Sequence, residues 1–177
     1  MGLTITEALA EIKTIAARVE KKRRTICEYS ARSSMLKDPL EDSGGSKQFV
    51  AKERQAIADL EQRMVKIRVL IQKANLENEL TLHGETAPVA EWLTYRREVA
   101  SGQKAFLQQL QAGLRQVRDQ FKRGPSGSTQ GPPQSMGELV VNIDEAAIMR
   151  EEERVTHVLG DLDGKLSLFN ARTEIDI

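Results

Sequence analysis

The sequence predicts a mainly α protein, an elongated antiparallel four-helix bundle of two duplicated helical hairpins with short β-strands at one end. Three observations carry that prediction. Apolar residues recur at steps of three and four over long stretches, the interval of a packed helix face. The composition, 29% charged and 4% aromatic, suits long helices better than a sandwich or barrel. And residues 67–82 recur as 162–177, pairing Ile67 with Leu162, Ile71 with Leu166, Ala74 with Phe169, Asn75 with Asn170 and Glu79 with Glu174. Each copy reads as a helix end, an Asn at which the chain leaves the helix, and a short strand, Leu80-Thr81-Leu82 or Ile175-Asp176-Ile177.

Thr4-Ile5-Thr6-Glu7 has capping-box spacing, which satisfies exposed amides of a first helical turn. The seam behind it runs Ile5, Leu9, Ile12, Ala16, Val19 and Ile26. Lys21-Lys22-Arg23-Arg24 lies inside this helix and reads as a solvated face in preference to a phosphate patch. Asp38-Pro39 followed by Ser43-Gly44-Gly45-Ser46 marks a loop. A second helix starts near Lys47 with Val50, Ile57, Leu60, Met64, Ile67, Ile71 and Ala74 on its seam.

His83-Gly84 is a turn, and Thr86 caps a third helix with Pro88 in its first turn. That helix carries the most regular seam: Val89, Trp92, Arg96, Val99, Gln103, Phe106, Leu110, Gly113 and Val117. Residues 124–138 form a Gly/Pro/Ser linker expected to be mobile if solvated, or else held by neighbours in an assembly. Leu139-Val140-Val141 reads as a strand that could pair with the other two. Asp144 caps the fourth helix, whose seam is Ile148, Val155, Leu159 (or Val158), Leu162, Leu166 and Phe169. The first and third helices also match, Ile5-Thr6-Glu7-Ala8-Leu9 against Val89-Ala90-Glu91-Trp92-Leu93, with Ile15 against Val99 and Ala16 against Ala100. The hairpins are therefore expected at 1–82 and 83–177, within one bundle.

A helix opening with Thr6-Glu7-Ala8-Leu9, a mid-chain Asn before a short strand, and the turn Gly84-Glu85-Thr86 before a capped helix form one pattern. With it goes an ending of the form Leu-Asp-x-x-Leu-x-x-x-Asn-x-x-Thr-Glu-Ile, here Leu162 to Ile175. Over nearly its whole length the chain thereby resembles a bacterial long-helix family whose members are often labelled septicolysin. The resemblance implies a fold and brings no catalytic residue. The label implies a thiol-activated pore former, but Cys27 is the only thiol and no membrane-inserting hairpin is visible, so that activity is not carried over. The 124–138 linker departs from the family pattern.

Lys+Arg and Asp+Glu both number 26, so no basic excess points to nucleic acid. One cysteine excludes an intramolecular disulfide and a CxxC zinc site. No apolar run approaches the ~18 residues of a membrane span, and no secretory signal is visible, so a cytoplasmic or virion location is expected.

Candidate sites are few. Glu153, His157 and Asp161 share one helical face and could offer three metal ligands, yet no second helix supplies a histidine, so a solvated face is the expectation. His83 is expected exposed in its turn. Cys27 has Arg23 and Arg24 nearby but no histidine partner, which favours a buried or inert thiol. Trp92 and Tyr95 are an interface candidate or a packed bundle end, and Leu80, Leu82, Ile175 and Ile177 are candidate edges for a partner. Asn75, Asn170, Glu79 and Glu174 are structural junctions. No catalytic, cofactor or metal residue is assigned, and no small-molecule substrate is implied.

The expected function is a non-enzymatic structural or interaction protein that self-associates or docks in a larger assembly, such as a virion neck, tail or decoration component. A membrane-active toxin-like protein is second, and a metal-dependent enzyme using Glu153, His157 and Asp161 is third.

Overall fold

The structure, a computed structural model, describes residues 2–123 and 139–176. The predicted linker at 124–138 and the terminal Ile177 lie outside the described residues. The chain is mainly helical, with two antiparallel strand pairs. Strand β1 (Gly2–Thr4) enters α1 (Ile5–Glu28), and a 3-10 turn (Glu41–Ser43) precedes α2 (Gly45–Glu77). Next come β2 (Glu79–Leu82), β3 (Glu85–Pro88), α3 (Val89–Thr94), a π-helical turn (Tyr95–Ala100) and α4 (Ser101–Arg123). Helix α5 (Glu145–Arg172) and β4 (Glu174–Asp176) complete the order.

Two compact units divide the chain: residues 1–79 with 166–177, and residues 80–165. The strands explain the interleaving. β1 pairs antiparallel with β4, Leu3 opposite Ile175, while β2 pairs with β3. Each repeat therefore gives its closing strand to a pair containing the opening strand of the other repeat. This corrects the expected pairing with 139–141, which form no strand.

The caps follow local chemistry. Thr4 and Glu7 form the capping box, the Glu7 amide donating to the Thr4 hydroxyl at 3.2 Å and the Thr4 amide to Glu7 at 2.8 Å. The Thr4 amide, and after it the Thr4 hydroxyl donating to the same oxygen at 2.8 Å, hold the Glu7 carboxyl below its usual range. Asp144 caps α5 through the Ala147 amide at 3.1 Å. Thr86 does not cap the third helix: it lies in β3, and Pro88 occupies the cap position with its fixed φ of −54°. Asn75 and Asn170 stay helical, which corrects their assignment as exits. The chain leaves each helix one turn later, where the Asn78 amide donates to the Ala74 carbonyl at 3.1 Å and the Thr173 amide to Phe169 at 2.9 Å. The Asn78 side-chain amide bonds the same Ala74 carbonyl at 2.8 Å, satisfying an end that the helix itself cannot. Glu79 and Glu174 then open β2 and β4.

The first unit packs Ile5, Ala8, Ile12, Ile15 and Val19 of α1 against Ile67 and Ala74 of α2 and Ile175 of β4. The α1 seam thus runs through Ala8 and Ile15 instead of Leu9 and Ala16, and Leu9 is exposed. Both rows fit the three-four interval, and contact with α2 selects one. In the second unit the expected seam holds only as far as Trp92. The π turn adds a residue to the helix, and the buried row continues through Ala100 and Leu107 instead of Val99 and Phe106. Ala100 and Leu107 pack on Val155 of α5, with Tyr95, Ile148 and Leu159 around them.

Candidate functional site

The residues expected to meet a partner are mostly taken up inside the units. Trp92 is 8% exposed, its indole N–H donates to the Leu80 carbonyl at 2.9 Å, and its ring meets Tyr95 edge-on with centroids 6.0 Å apart. A buried indole with its N–H satisfied is a core residue. Leu82 and Ile175 are buried as well, Ile175 in the core that α1 and α2 form. Leu80 is half-buried.

The basic run behaves as a solvated face. Lys22 pairs with Glu53 at 2.6 Å, Arg23 with Glu61 at 2.7 Å and Arg24 with Glu20 at 3.1 Å, so carboxylates balance its charge locally. Cys27 is exposed, so of the expected buried or inert thiol the buried alternative does not hold.

A second row of apolar residues lies on the outside of the π turn and α4. Val99, Phe106 and Val117 are 44%, 58% and 47% exposed, and their spacing of 7 and 11 keeps them within about 20° on the helix. Leu110 and Gly113 fall on the same row. The inner row is the more polar of the two. Its Gln111 donates to Glu152 at 2.7 Å and its Arg118 pairs with Glu145, both on α5. The first unit has a similar outer row on α2, where Val65, Val69 and Leu76 are exposed on the side opposite Ile67 and Ala74.

The second unit also contains a cleft of about 620 Å³, lined among others by Leu82, His83, Trp92, Tyr95, Arg154 and His157. At its mouth the β2–β3 turn presents His83. This two-residue turn holds His83 at φ 50° and Gly84 at φ 89°, the left-handed pair that joins strands closely. Histidine is among the few side chains that tolerate that region. His83 Nε2 stands 3.2 Å from Asp161 Oδ2, and His157 Nε2 stands 3.4 Å from the same oxygen. The two imidazoles are 5.7 Å apart between ring centroids.

No family model matches the chain, and no curated protein or solved structure matches it.

Of the three residues expected to form a solvated face on one helix, two therefore join a cluster drawn from two elements. His157 and Asp161 are joined by His83, while Glu153 is not part of the cluster and lines a neighbouring depression with Gln108, Met149 and His157. The second histidine comes not from another helix but from a turn 74 residues earlier in the chain than His157. The sequence signal for it was the His-Gly pair between two short alternating runs, which marks a tight hairpin. Nothing in the spacing tells which helix that hairpin meets.

Proposed function

We propose that this chain is a non-enzymatic interaction protein that self-associates through the outer face of α4. The observation that carries the reading is the exposed row Val99, Phe106 and Val117, which the half-buried Leu110 and the exposed Gly113 extend into a heptad-spaced seam. A heptad seam suits another helix of the same period, and a second copy supplies one. Gly113 in the row faces open space, with nothing of its own chain within 4 Å of a Cβ built there, and its lack of a side chain lets a second helix come close. The outer row of α2 supports the same reading from the first unit. The elongated four-helix bundle expected from the sequence belongs to this proposal. So does its most specific version, a virion component, for which the two-stranded pairs would offer edges to a neighbouring chain.

The test is light scattering behind size exclusion over a dilution series, with the wild type against Phe106→Glu. Self-association of the wild type is expected, with the midpoint raised ten- to a hundredfold or more in the variant. That follows from losing ~1.5–3 kcal/mol per pair of chains, about half of a fully buried Phe on each because Phe106 is 58% exposed before association, and from adding a charge. Unchanged circular dichroism in Phe106→Glu would place the effect at the interface. A wild-type monomer at every concentration would overturn the proposal.

A further inference from the structure

Three side chains in the second unit converge on a small volume, and their chemistry suits a cation better than a buried ion pair. His83 and His157 each aim Nε2 at one oxygen of one carboxylate, and the ligand atoms of the three residues all lie within 4.8 Å of one another. Imidazole nitrogen with carboxylate oxygen is the donor set of zinc-class divalent ions, whereas calcium and magnesium favour oxygen alone. The separations fit as well. Bonds of about 2.0–2.1 Å at a tetrahedral angle place neighbouring ligand atoms roughly 3.3 Å apart. The two nitrogen–oxygen distances, 3.2 and 3.4 Å, bracket that edge. Only the two imidazoles need to draw together, and both are exposed enough to turn, at 44% and 72%.

The scaffold is suited to hold the trio. His157 and Asp161 are one helical turn apart on α5, so they share a face without strain. The backbone of the β2–β3 turn fixes His83, and Lys165 of α5 donates to the Thr81 carbonyl, tying this hairpin to the helix that carries the other two ligands. The first unit is an internal comparison. The positions matching His157 and Asp161 in the repeat are Gln62 and Lys66, so the duplicated frame carries no such donors there.

We propose that His83, His157 and Asp161 bind one divalent transition metal of the zinc class, leaving a further coordination position to solvent at the mouth of the cleft. Three protein ligands with an open position is the arrangement of an accessible zinc centre, unlike the closed four-ligand structural site. This site is independent of the self-association proposed above, because it uses neither outer row.

The experiment is titration of the full chain with Zn²⁺ alone by calorimetry, and with Co²⁺ alone by visible absorption, at neutral pH. One equivalent of Zn²⁺ is expected, with the intense visible band of low-coordinate Co²⁺. His83→Asn keeps a residue that tolerates the left-handed turn while removing the imidazole. It and His157→Gln should each weaken binding at least tenfold, and Asp161→Asn at least threefold. Metal-free melting of each variant, expected to match the wild type, separates ligand loss from misfolding. Glu153→Gln should bind as the wild type does. Absence of stoichiometric binding would overturn the proposal, as would full affinity in His83→Asn. Loss of binding in Glu153→Gln would also overturn it, by moving the metal to the helix alone.

Discussion

The two repeats share one plan and differ in what the plan is filled with. In each, an opening strand leads into a helix, and a second helix ends three residues after a buried or packed position, Ala74 or Phe169, before a closing strand. The equivalences then diverge. Ala8 becomes Trp92, and Ile12 becomes Arg96, which reaches outward to Asp163 at 2.8 Å. Beyond the π turn the match slips by one residue, so Ile15 corresponds to Ala100, Val19 to Lys104 and Lys22 to Leu107. The first unit thus has a continuous aliphatic seam along α1. The second has a large aromatic at one end, a thin inner row beyond it, and its more apolar row outside. The difference teaches that duplication preserves strand order and helix exits, while the faces are free to acquire other uses.

The sharpest way to break this comparison is at its most equivalent pair. Ile67 and Leu162 occupy the same place in the repeat and are both 0% exposed. Ile67→Ala and Leu162→Ala should each cost about 2–5 kcal/mol, the range for emptying a close-packed aliphatic site. Urea unfolding followed by far-ultraviolet dichroism reads the whole chain. The single tryptophan, Trp92, reports on the second unit alone. Leu162→Ala should shift the fluorescence transition at least as far as the dichroism. A cost below about 1 kcal/mol at either position would show that the two cores are not equivalent supports.

Much of this plan was legible in the chain because it rests on local chemistry. The Thr4–Glu7 box, the Asp144 cap and the α2 and α5 seams depend on residues within one or two turns of each other. The π turn was not legible. Val99, Phe106 and Val117 continue an unbroken heptad pattern, and one additional residue in the helix rotates that pattern out of the core without any break in the sequence. Asn75 and Asn170 misled for a related reason: Asn is suited to ending helices, but the backbone bonds that end these lie at Asn78 and Thr173. The metal-type trio was two-thirds legible, since His157 and Asp161 share a helix face. Its third member depends on how a hairpin packs, which spacing along the chain does not encode.

The π turn offers a second way to sharpen the comparison. If it is one residue accommodated within an otherwise α-helical path, deleting the exposed Arg97 should let the helix close into α geometry. Ala100 and Leu107 would keep facing Val155, and stability should stay within about 1 kcal/mol of the wild type. Deleting Gln109 removes a residue where no π turn can absorb the change. That rotates Leu114 and Arg118 by about 100° away from α5 and should cost about 1–3 kcal/mol. Thermal melts of the two deletions would decide the matter, and equal losses would sink the idea that the π turn is a single accommodated residue.

The smallest expected effect concerns how the second helix of each repeat begins. Helix α5 is capped by its own neighbour, Asp144. Helix α2 begins at Gly44, which is left-handed at φ 95° and offers no side chain, so the cap comes from farther back. Asp38 reaches over the 3-10 turn to accept from the Ser46 hydroxyl at 2.5 Å, the Leu40 amide at 2.9 Å and the Ser46 amide at 3.0 Å. The Ser46 hydroxyl is the largest cause, followed by the two amides, with Arg32 a smaller one, and together they lower the Asp38 carboxyl to about 2. A carboxyl lowered on folding stabilises the fold above its unfolded value, about 3.9, and that contribution fades as the pH falls through about 2. Asp38→Asn keeps one acceptor oxygen but cannot ionise. Its melting temperature should therefore lie below that of the wild type at neutral pH, with the gap closing between about pH 4 and pH 2. A gap that stayed constant through that range would mean that the Asp38 charge contributes nothing, and that shape and hydrogen bonding alone hold the start of α2.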